Sequence, residues 1–301
     1  MAMQDNSGAA GRAGEPGAGG AGSELPRLLP QFIIIGAMKS GTTTLYRYLD
    51  LHPAVEMSRD KETDFFLTDK NRARGLDWYA AQFTSEARVR GEASPNYTKR
   101  RDFPGVPERI SAVLPDARLI YVVRDPVDRA VSQYRHSYIL GDLDGDLNGF
   151  AGSHEYEHIL DASRYAAQLD AYRALFPDDA ILVLDFDELV RAPQAVMDRI
   201  CAHIGVPAAP FSELGAQNDS RELSRIPAPV LRFAQSPLGR RIAGLVPRAG
   251  RDRVRRGLAR GPARTPPEFP RELLARIGDE LRPDAARFRE MTGLPFAGWS
   301  V

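Results

Sequence analysis

Residues 32–49 of the chain read "FIIIGAMKSGTTTLYRYL", a pattern that predicts a strand, a glycine turn and a helix. The apolar run from Phe32 to Ile35 does not alternate, which is typical of a strand buried on both faces of a parallel sheet. The residues that follow Gly41 have helical spacing, and this pattern stops before Pro53. A glycine turn between strand and helix presents backbone N–H groups at the positive end of the helix dipole, so this stretch predicts an anion site.

The glycine turn differs from a nucleotide-binding P-loop in the position of its lysine. A P-loop reads G-x-x-x-x-G-K-[ST], and its lysine reaches the β- and γ-phosphates. Gly36 and Gly41 have that spacing here, but the nearby lysine is Lys39, before the second glycine. The pattern predicts phosphate binding, and the alternative is a simple glycine-containing turn. The residues expected to contact a phosphate are Lys39, Ser40, Gly41, Thr42, Thr43 and Thr44.

The plan of strand, turn and helix recurs along the chain. In "RLIYVVRDPVDRAVSQYRHSYI" it predicts a strand at 118–123, a turn at Arg124 and Asp125, and a helix that Pro126 opens. "AILVLDFDELV", from residue 180, predicts a third buried strand, and another helix follows it. Strands that alternate with helices predict an α/β fold, here a P-loop-like doubly wound parallel sheet flanked by helices. Ligands of such sheets bind at the carboxyl ends of the strands.

Two segments differ in composition from this core. Residues 1–26 are rich in glycine and alanine and predict a disordered tail, so we expect one domain over 27–301. Between about 215 and 270, twelve arginines occur from Arg221 to Arg264, with only Glu222 and Asp252 as acidic residues in that range. This basic segment is either a lid over an anionic ligand or a solvated, partly helical excursion. An amphipathic helix is expected after it.

Charge and cysteine content restrict the class of protein. The formal net charge is zero, so no global field favours nucleic acid or an anionic membrane. The single cysteine, Cys201, excludes an internal disulfide and favours a reducing compartment. We find neither an apolar run long enough to span a membrane nor the pattern of a signal peptide. We therefore expect a soluble cytoplasmic protein without a transmembrane segment.

The residue at the end of the second strand argues against magnesium-nucleotide chemistry. Kinases and NTPases of this kind place an acidic residue there to hold the metal. Arg124 stands at that position, and Asp125 follows it. We therefore expect a second anion to be bound directly by charge, with no metal. Two separate anion sites and a nearby lysine favour a nucleotide that is phosphorylated at both its 5′ and 3′ positions.

These residues resemble the PAPS-dependent sulfotransferase family. "KSGTTTL" is similar to the family's loop for the 5′-phosphosulfate of PAPS, and "RDPVDRAVSQY" is similar to its strand, turn and helix for the 3′-phosphate. The resemblance implies that Lys39 neutralises the leaving 5′-phosphate, and that Arg124 and Ser132 bind the 3′-phosphate of PAPS or of the product PAP. We also expect Arg221 and Arg225, in the basic segment, to contact this nucleotide.

A further stretch, "MSRDKETDFFLTD", resembles the heparan-sulfate branch of the family and implies that Glu62 is the general base. "GEASPNYT" and "LPFAGWSV" resemble later segments of that branch, so the resemblance runs from about residue 31 to the C-terminus. Thr63 and Asp64 replace the proline and histidine that are usual in glycosaminoglycan enzymes. The resemblance implies a soluble, bacterial-type sulfotransferase that acts on a hydroxylated small molecule, a lipid or a glycan, and not on nucleic acid.

Several alternatives remain open from the residues alone. Glu62 is either the base or a surface carboxylate paired with Lys61 or Arg59. His136 lies four residues after Ser132, so it is either a rival base or a hydrogen-bonded structural histidine. For the whole protein, the alternatives are a P-loop kinase-like phosphotransferase that uses ATP and Mg²⁺ and a non-catalytic nucleotide-binding interaction module.

Overall fold

The computed structural model of the protein describes residues 28–86, 88–210, 229–230 and 263–301. Its centre is a five-stranded sheet in which every pairing is parallel. The strands are β1 Phe32–Gly36, β2 Val55–Met57, β3 Val89–Ala93, β4 Arg118–Val123 and β5 Ile181–Asp185. Their order is β2-β3-β1-β4-β5, so β1 is the middle strand.

Helices lie on both faces of this sheet. In the described part of the chain the α-helices are α1 Thr42–Asp50, α2 Gly75–Ala80, α3 Val106–Val113, α4 Pro126–Leu140, α5 Leu147–Phe150, α6 His154–Asp161, α7 Tyr165–Arg173, α8 Phe186–Arg191, α9 Pro193–Ile204 and α10 Arg271–Thr292. Short 3₁₀ turns occur at Arg72–Arg74, Pro95–Thr98 and Asp178–Ala180. No helix within the described ranges is both long and apolar enough to cross a membrane.

The apolar run of β1 fills two cores at once. Ile33 and Ile35 pack on the face covered by α7 and α10, while Phe32 and Ile34 pack on the face covered by α1 and α9. All four side chains are fully buried. A strand with both faces covered needs no polar positions, which is why its apolar residues are continuous rather than alternating.

The strand order creates a crevice at the centre of the sheet. After β1 the chain builds β2 and β3 on one side, and then it crosses to β4 on the other side. The loops that follow β1 and β4 therefore diverge at the carboxyl edge, which is where doubly wound sheets bind ligands. The predicted α/β fold, the strand at 118–123 and the helix opened by Pro126 are confirmed. The strands β2 and β3 were not anticipated.

The C-terminal part of the chain closes one face of the sheet. Asp284 of α10 accepts hydrogen bonds from the N–H groups of Ala166 and Ala167, at 2.9 and 3.0 Å, and so caps the start of α7. Trp299 stacks on Phe296, with ring centroids 4.2 Å apart. The predicted tail over 1–26 and most of the basic segment, including Arg221 and Arg225, lie outside the described residues.

Candidate active site

The loop between β1 and α1 lies at the central crevice and presents free donors. Ser40 is fully buried, and its Oγ makes no hydrogen bond of normal geometry with a described residue, although the Tyr165 hydroxyl is near enough to interact with it. Gly41 precedes α1 with φ 84°, and no side chain caps the first turn of that helix. The first N–H groups of an uncapped helix are open to an anion. Thr42 is buried, Thr43 is half-buried and Thr44 is exposed.

The second predicted anion site lies at the end of β4. The Arg124 Nη2 atom donates to Asp128 Oδ2 at 2.9 Å, one turn into α4. The Arg124 guanidinium also lies 5.4 Å from the ring centroid of Phe186. The same ring packs on Gly41, because a Cβ added there would lie only 2.8 Å from it. Phe186 therefore joins the two loops, and the half-buried Ser132 follows Asp128 by one turn of α4.

Glu62 lies in the long loop after β2, and it is ion-paired. Its Oε1 accepts from Lys61 Nζ at 2.7 Å, and 46% of its side chain stays exposed. Burial acts to raise the pKa of Glu62, but the charge and hydrogen bond of Lys61 and the charges of Lys70 and Lys99 outweigh it, so the pKa is lowered. Glu62 is therefore ionised at neutral pH and able to accept a proton.

Lys39 is the second charged group of this cleft. Burial lowers the pKa of Lys39, the charge of Glu62 opposes this shift, and the charges of Lys61, Arg124 and Arg129 add to it. No carboxylate of a described residue lies within salt-bridge distance of its ammonium. All four lysines of the chain thus gather around Glu62, although 36 of its 40 basic residues are arginines. This convergence is more specific than either motif alone.

His136 also faces this cluster. Burial lowers its pKa to about 4, with a further contribution from the charge of Lys39, while Glu62 opposes the shift. Its Nδ1 atom is buried without a partner among the described residues. A neutral imidazole beside Lys39 and Glu62 is a rival proton acceptor by position, but its lowered pKa makes it a weaker one than an ordinary histidine.

Arg129 is a functional candidate that the sequence analysis missed. Its side chain is fully buried on α4, donates to Ser163 Oγ and Gln133 Oε1 at 2.5 Å, and reaches the Met38 carbonyl at 3.5 Å. The guanidinium therefore ties α4 to the loop that carries Lys39. The only available signal was its place as the second arginine of "RDPVDR".

A buried carboxylate supports the segment after Glu62. Glu92 of β3 is fully buried and accepts from the hydroxyls of Thr63, Tyr79, Ser94 and Tyr97. Burial raises the pKa of Glu92, while these hydroxyls act in the opposite direction. Because Thr63 follows Glu62 directly, this network fixes the backbone beside the candidate base.

The described residues contain no group of three or more His, Cys, Asp or Glu side chains arranged to hold a metal ion. The acidic run after β5 has a structural role instead, since Asp185 caps α8 by accepting from the Asp187 N–H at 3.1 Å.

A doubly wound parallel sheet with a phosphate-type turn after its middle strand places the protein among α/β enzymes with a P-loop-like fold. The family model for the sulfotransferase domain matches residues 29–222, which is more than half of the chain. The chain therefore belongs to the sulfotransferase family, and the protein is an enzyme, a sulfotransferase.

Individual relatives agree with this assignment. Human heparan sulfate glucosamine 3-O-sulfotransferase 6 is 30% identical over 297 residues, which cover 96% of this chain and 78% of that protein. The human bifunctional heparan sulfate N-deacetylase/N-sulfotransferase 2 is 30% identical over 205 residues, or 59% of this chain and 22% of that protein. A sulfotransferase structure from Alicyclobacillus acidocaldarius has the same fold, with a TM-score of 0.67 at 22% identity over 90% of this chain and 99% of that one.

Proposed function

We propose that the protein transfers a sulfuryl group from PAPS to a hydroxyl or amine of a small-molecule, lipid or glycan acceptor and releases PAP. The observation that carries this proposal is that Lys39 and Glu62 lie close enough for the charge of Glu62 to act on Lys39, without an ion pair between them. They come from two different loops, and Arg124 lies close enough to affect Lys39 as well. A cation for the leaving group and a carboxylate for the acceptor are the two groups that such a transfer needs.

The donor-side residues fit a nucleotide with two phosphate positions. PAPS, when bound, supplies the activated sulfuryl group. The uncapped start of α1, the Ser40 hydroxyl and the ammonium of Lys39 suit its 5′-phosphosulfate. Arg124 and Ser132 suit its 3′-phosphate, and Arg221 and Arg225 are further candidates for the same nucleotide. On binding, each of these groups would donate its hydrogen bond to an oxygen of the anion in place of a water molecule.

The chemistry assigned to the chain is proton removal and charge neutralisation. Glu62 accepts the proton of the acceptor hydroxyl as the new bond forms, a role worth on the order of 10²–10⁴ in rate. Lys39 offsets the negative charge that grows on the leaving 5′-phosphate. A sulfuryl group carries less negative charge than a phosphoryl group, so we propose that no metal ion is required.

The proposal also includes a class of acceptor and a cellular location. The two human relatives act on heparan sulfate according to their names. In this chain Asp64 binds Lys70 at 2.7 Å beside Glu62, where the resemblance expects a histidine. We propose a hydroxylated acceptor that is not restricted to glycosaminoglycans, and a bacterial-type enzyme that works in the cytoplasm.

Ligand-induced thermal stabilisation tests the donor assignment. A ligand that binds only the folded state raises the apparent stability. PAP alone should raise the melting temperature, whereas ADP should raise it less and ATP with Mg²⁺ should not raise it. Lys39→Ala and Arg124→Ala should each weaken PAP binding in calorimetry, while Arg135→Ala, at an exposed position of α4, should not. Stabilisation by ATP with Mg²⁺ alone would assign the loop to phosphoryl transfer.

A further inference from the structure

Lys99 is a buried lysine without a partner among the described residues. It follows the 3₁₀ turn Pro95–Thr98, and only 5% of its surface is exposed. No described carboxylate lies within salt-bridge distance of its ammonium, and no described acceptor receives a hydrogen bond from it. The side chain of Lys99 is buried, but its Nζ is not among the fully enclosed polar atoms that lack a partner. A lysine in such a place with no acceptor among the described residues calls for an explanation.

The two carboxylates that act on Lys99 already have partners. Asp64 accepts from Lys70 Nζ at 2.7 Å and from Asn96 Nδ2 at 3.2 Å. Asp102 is bound to the Nδ1 atom of His158. Both carboxylates act on Lys99 electrostatically, yet burial, Arg129 and Lys70 dominate and lower the pKa of Lys99 to about 8. The positive charge of Lys99 is therefore not neutralised locally.

Lys99 lies on the side of the cleft that β3 forms. It follows β3, which neighbours β1 on the side opposite to β4 and Arg124. Its charge acts on Glu62 and on His136. The cations that act on Lys39 are Lys61, Arg124 and Arg129, and of these Arg129 also acts on Lys99. Lys99 thus acts on the carboxylate of Glu62 without being among the cations that lower the pKa of Lys39.

We propose that Lys99 binds an anionic group of the acceptor, a carboxylate, sulfate or phosphate, close to the hydroxyl that Glu62 deprotonates. This proposal rests on the proposed function in one respect, which is that Glu62 accepts the proton of the acceptor. Lys61 and Lys70 add positive charge around the same space, and each already holds a carboxylate of the chain. Lys39 also lacks a carboxylate partner but is assigned to the donor, so Lys99 is the lysine left to hold an anion of the acceptor. The acceptor is accordingly an anionic molecule.

Lysine NMR tests this anion subsite in the full chain. With lysine labelled at its side chain, the four lysines give separate signals that single Lys→Arg variants assign. Saturation with PAP first fills the donor sites. Inorganic sulfate, inorganic phosphate and methyl β-D-glucuronide are then titrated, with methyl β-D-glucoside as the neutral match of the glucuronide. We expect a saturable shift of the Lys99 signal with the anions, none with the glucoside, and a smaller change at Lys61, which Glu62 already holds.

The outcomes separate this proposal from the proposed function. If none of the three anions moves Lys99, or if the glucoside moves it as much as the glucuronide, the anion subsite is wrong. Lys99→Met should keep PAP affinity within about twofold, since the ammonium makes no donor contact, whereas a loss as large as that of Lys39→Ala would reassign Lys99 to the nucleotide site. If PAP itself fails to bind, the proposed function fails, and the same anion titration of the PAP-free protein still reports on Lys99.

Discussion

The hydroxyl of Thr63 donates a hydrogen bond to the carboxylate of Glu92, which is fully buried at the end of β3. Tyr79 donates to the other oxygen of that carboxylate at 2.7 Å. No cation contacts Glu92 in the described part of the chain, so hydroxyl groups alone stabilise it. This network connects the sheet to the segment that carries Glu62, and it makes the position of the candidate base depend on a residue of the core.

Loss of the Glu92 carboxylate should destabilise the fold. Glu92→Ala removes the acceptor of four hydroxyls, and leaving such groups unpaired in the interior should lower the free energy of unfolding by about 3 kcal/mol. Glu92→Gln keeps the shape and one acceptor oxygen, so its loss should be less than half as large. Urea unfolding measures both variants, and equal losses would show that cavity formation, not hydrogen bonding, sets the cost.

Kinetic measurements should distinguish Glu62 from His136 as the general base. Glu62→Gln removes the proton acceptor and should lower kcat by on the order of 10²–10⁴ with unchanged PAP affinity. His136→Ala should keep most of the activity, because the lowered pKa of His136 makes it a poor base. Single-turnover assays with labelled PAPS give both rates. A loss in His136→Ala as deep as that in Glu62→Gln would transfer the role of base to His136.

His136 should make stability depend on pH. Its pKa falls from 6.5 to about 4 on folding, chiefly through burial, so the unfolded chain binds a proton between these pH values and the folded chain does not. The contribution of neutral His136 to the free energy of unfolding is fully present above pH 6.5 and is lost as the pH falls. At pH 5 the loss reaches about 2 kcal/mol. In His136→Gln the denaturant midpoint should change less between pH 7 and pH 5 than in the parent protein. In the control His154→Gln, at an exposed position, the midpoint should change with pH as it does in the parent protein.

Gly41 should tolerate no side chain. Gly41→Ala forces a Cβ to 2.8 Å from the Phe186 ring and places alanine at φ 84°. Gly152→Ala is the matched control, because Gly152 has φ 87° with nothing within 4 Å. The control should lose about 1 kcal/mol from the backbone alone. Gly41→Ala should lose clearly more and also bind PAP more weakly, and thermal melts with and without PAP compare the two.

The buried guanidinium of Arg129 should support both the fold and the donor loop. Arg129→Lys keeps a positive charge but cannot reach Ser163, Gln133 and Met38 together, so stability and PAP affinity should both fall. Arg135→Lys, at an exposed position of the same helix, should change neither. An Arg129→Lys variant with parental PAP affinity would limit Arg129 to a structural role.

The sequence predicted best where one local pattern decides the structure. The apolar run of β1, the strand 118–123 and the proline that opens α4 all appear at the predicted places, because burial on both faces and proline geometry act within a few residues. The strand β3 was missed because Glu92 interrupts its apolar pattern. The hydroxyls that make Glu92 tolerable lie as far as 29 residues away, and no local pattern reveals them.

The residues of the candidate site could also be predicted where a short motif identifies them, and not where their role depends on distant neighbours. The resemblance identified Lys39, Glu62 and Arg124 from short motifs, and the structure brings their charges together. Arg129 and Lys99 were not identified, because their importance depends on burial and on which neighbours are already paired. The assignments of Arg221 and Arg225 stay predictions, since both lie outside the described residues.

The gathering of every lysine side chain around Glu62 also determines how the protein can be handled. Reagents that acylate or alkylate amines will modify side chains only in this cleft, so attaching the enzyme to a surface or a dye through lysine would block the site. The same property makes covalent labelling a direct footprint of occupancy. Mass spectrometry of acetylated protein would count protected lysines, and a bound donor should shield Lys39 in preference to Lys70.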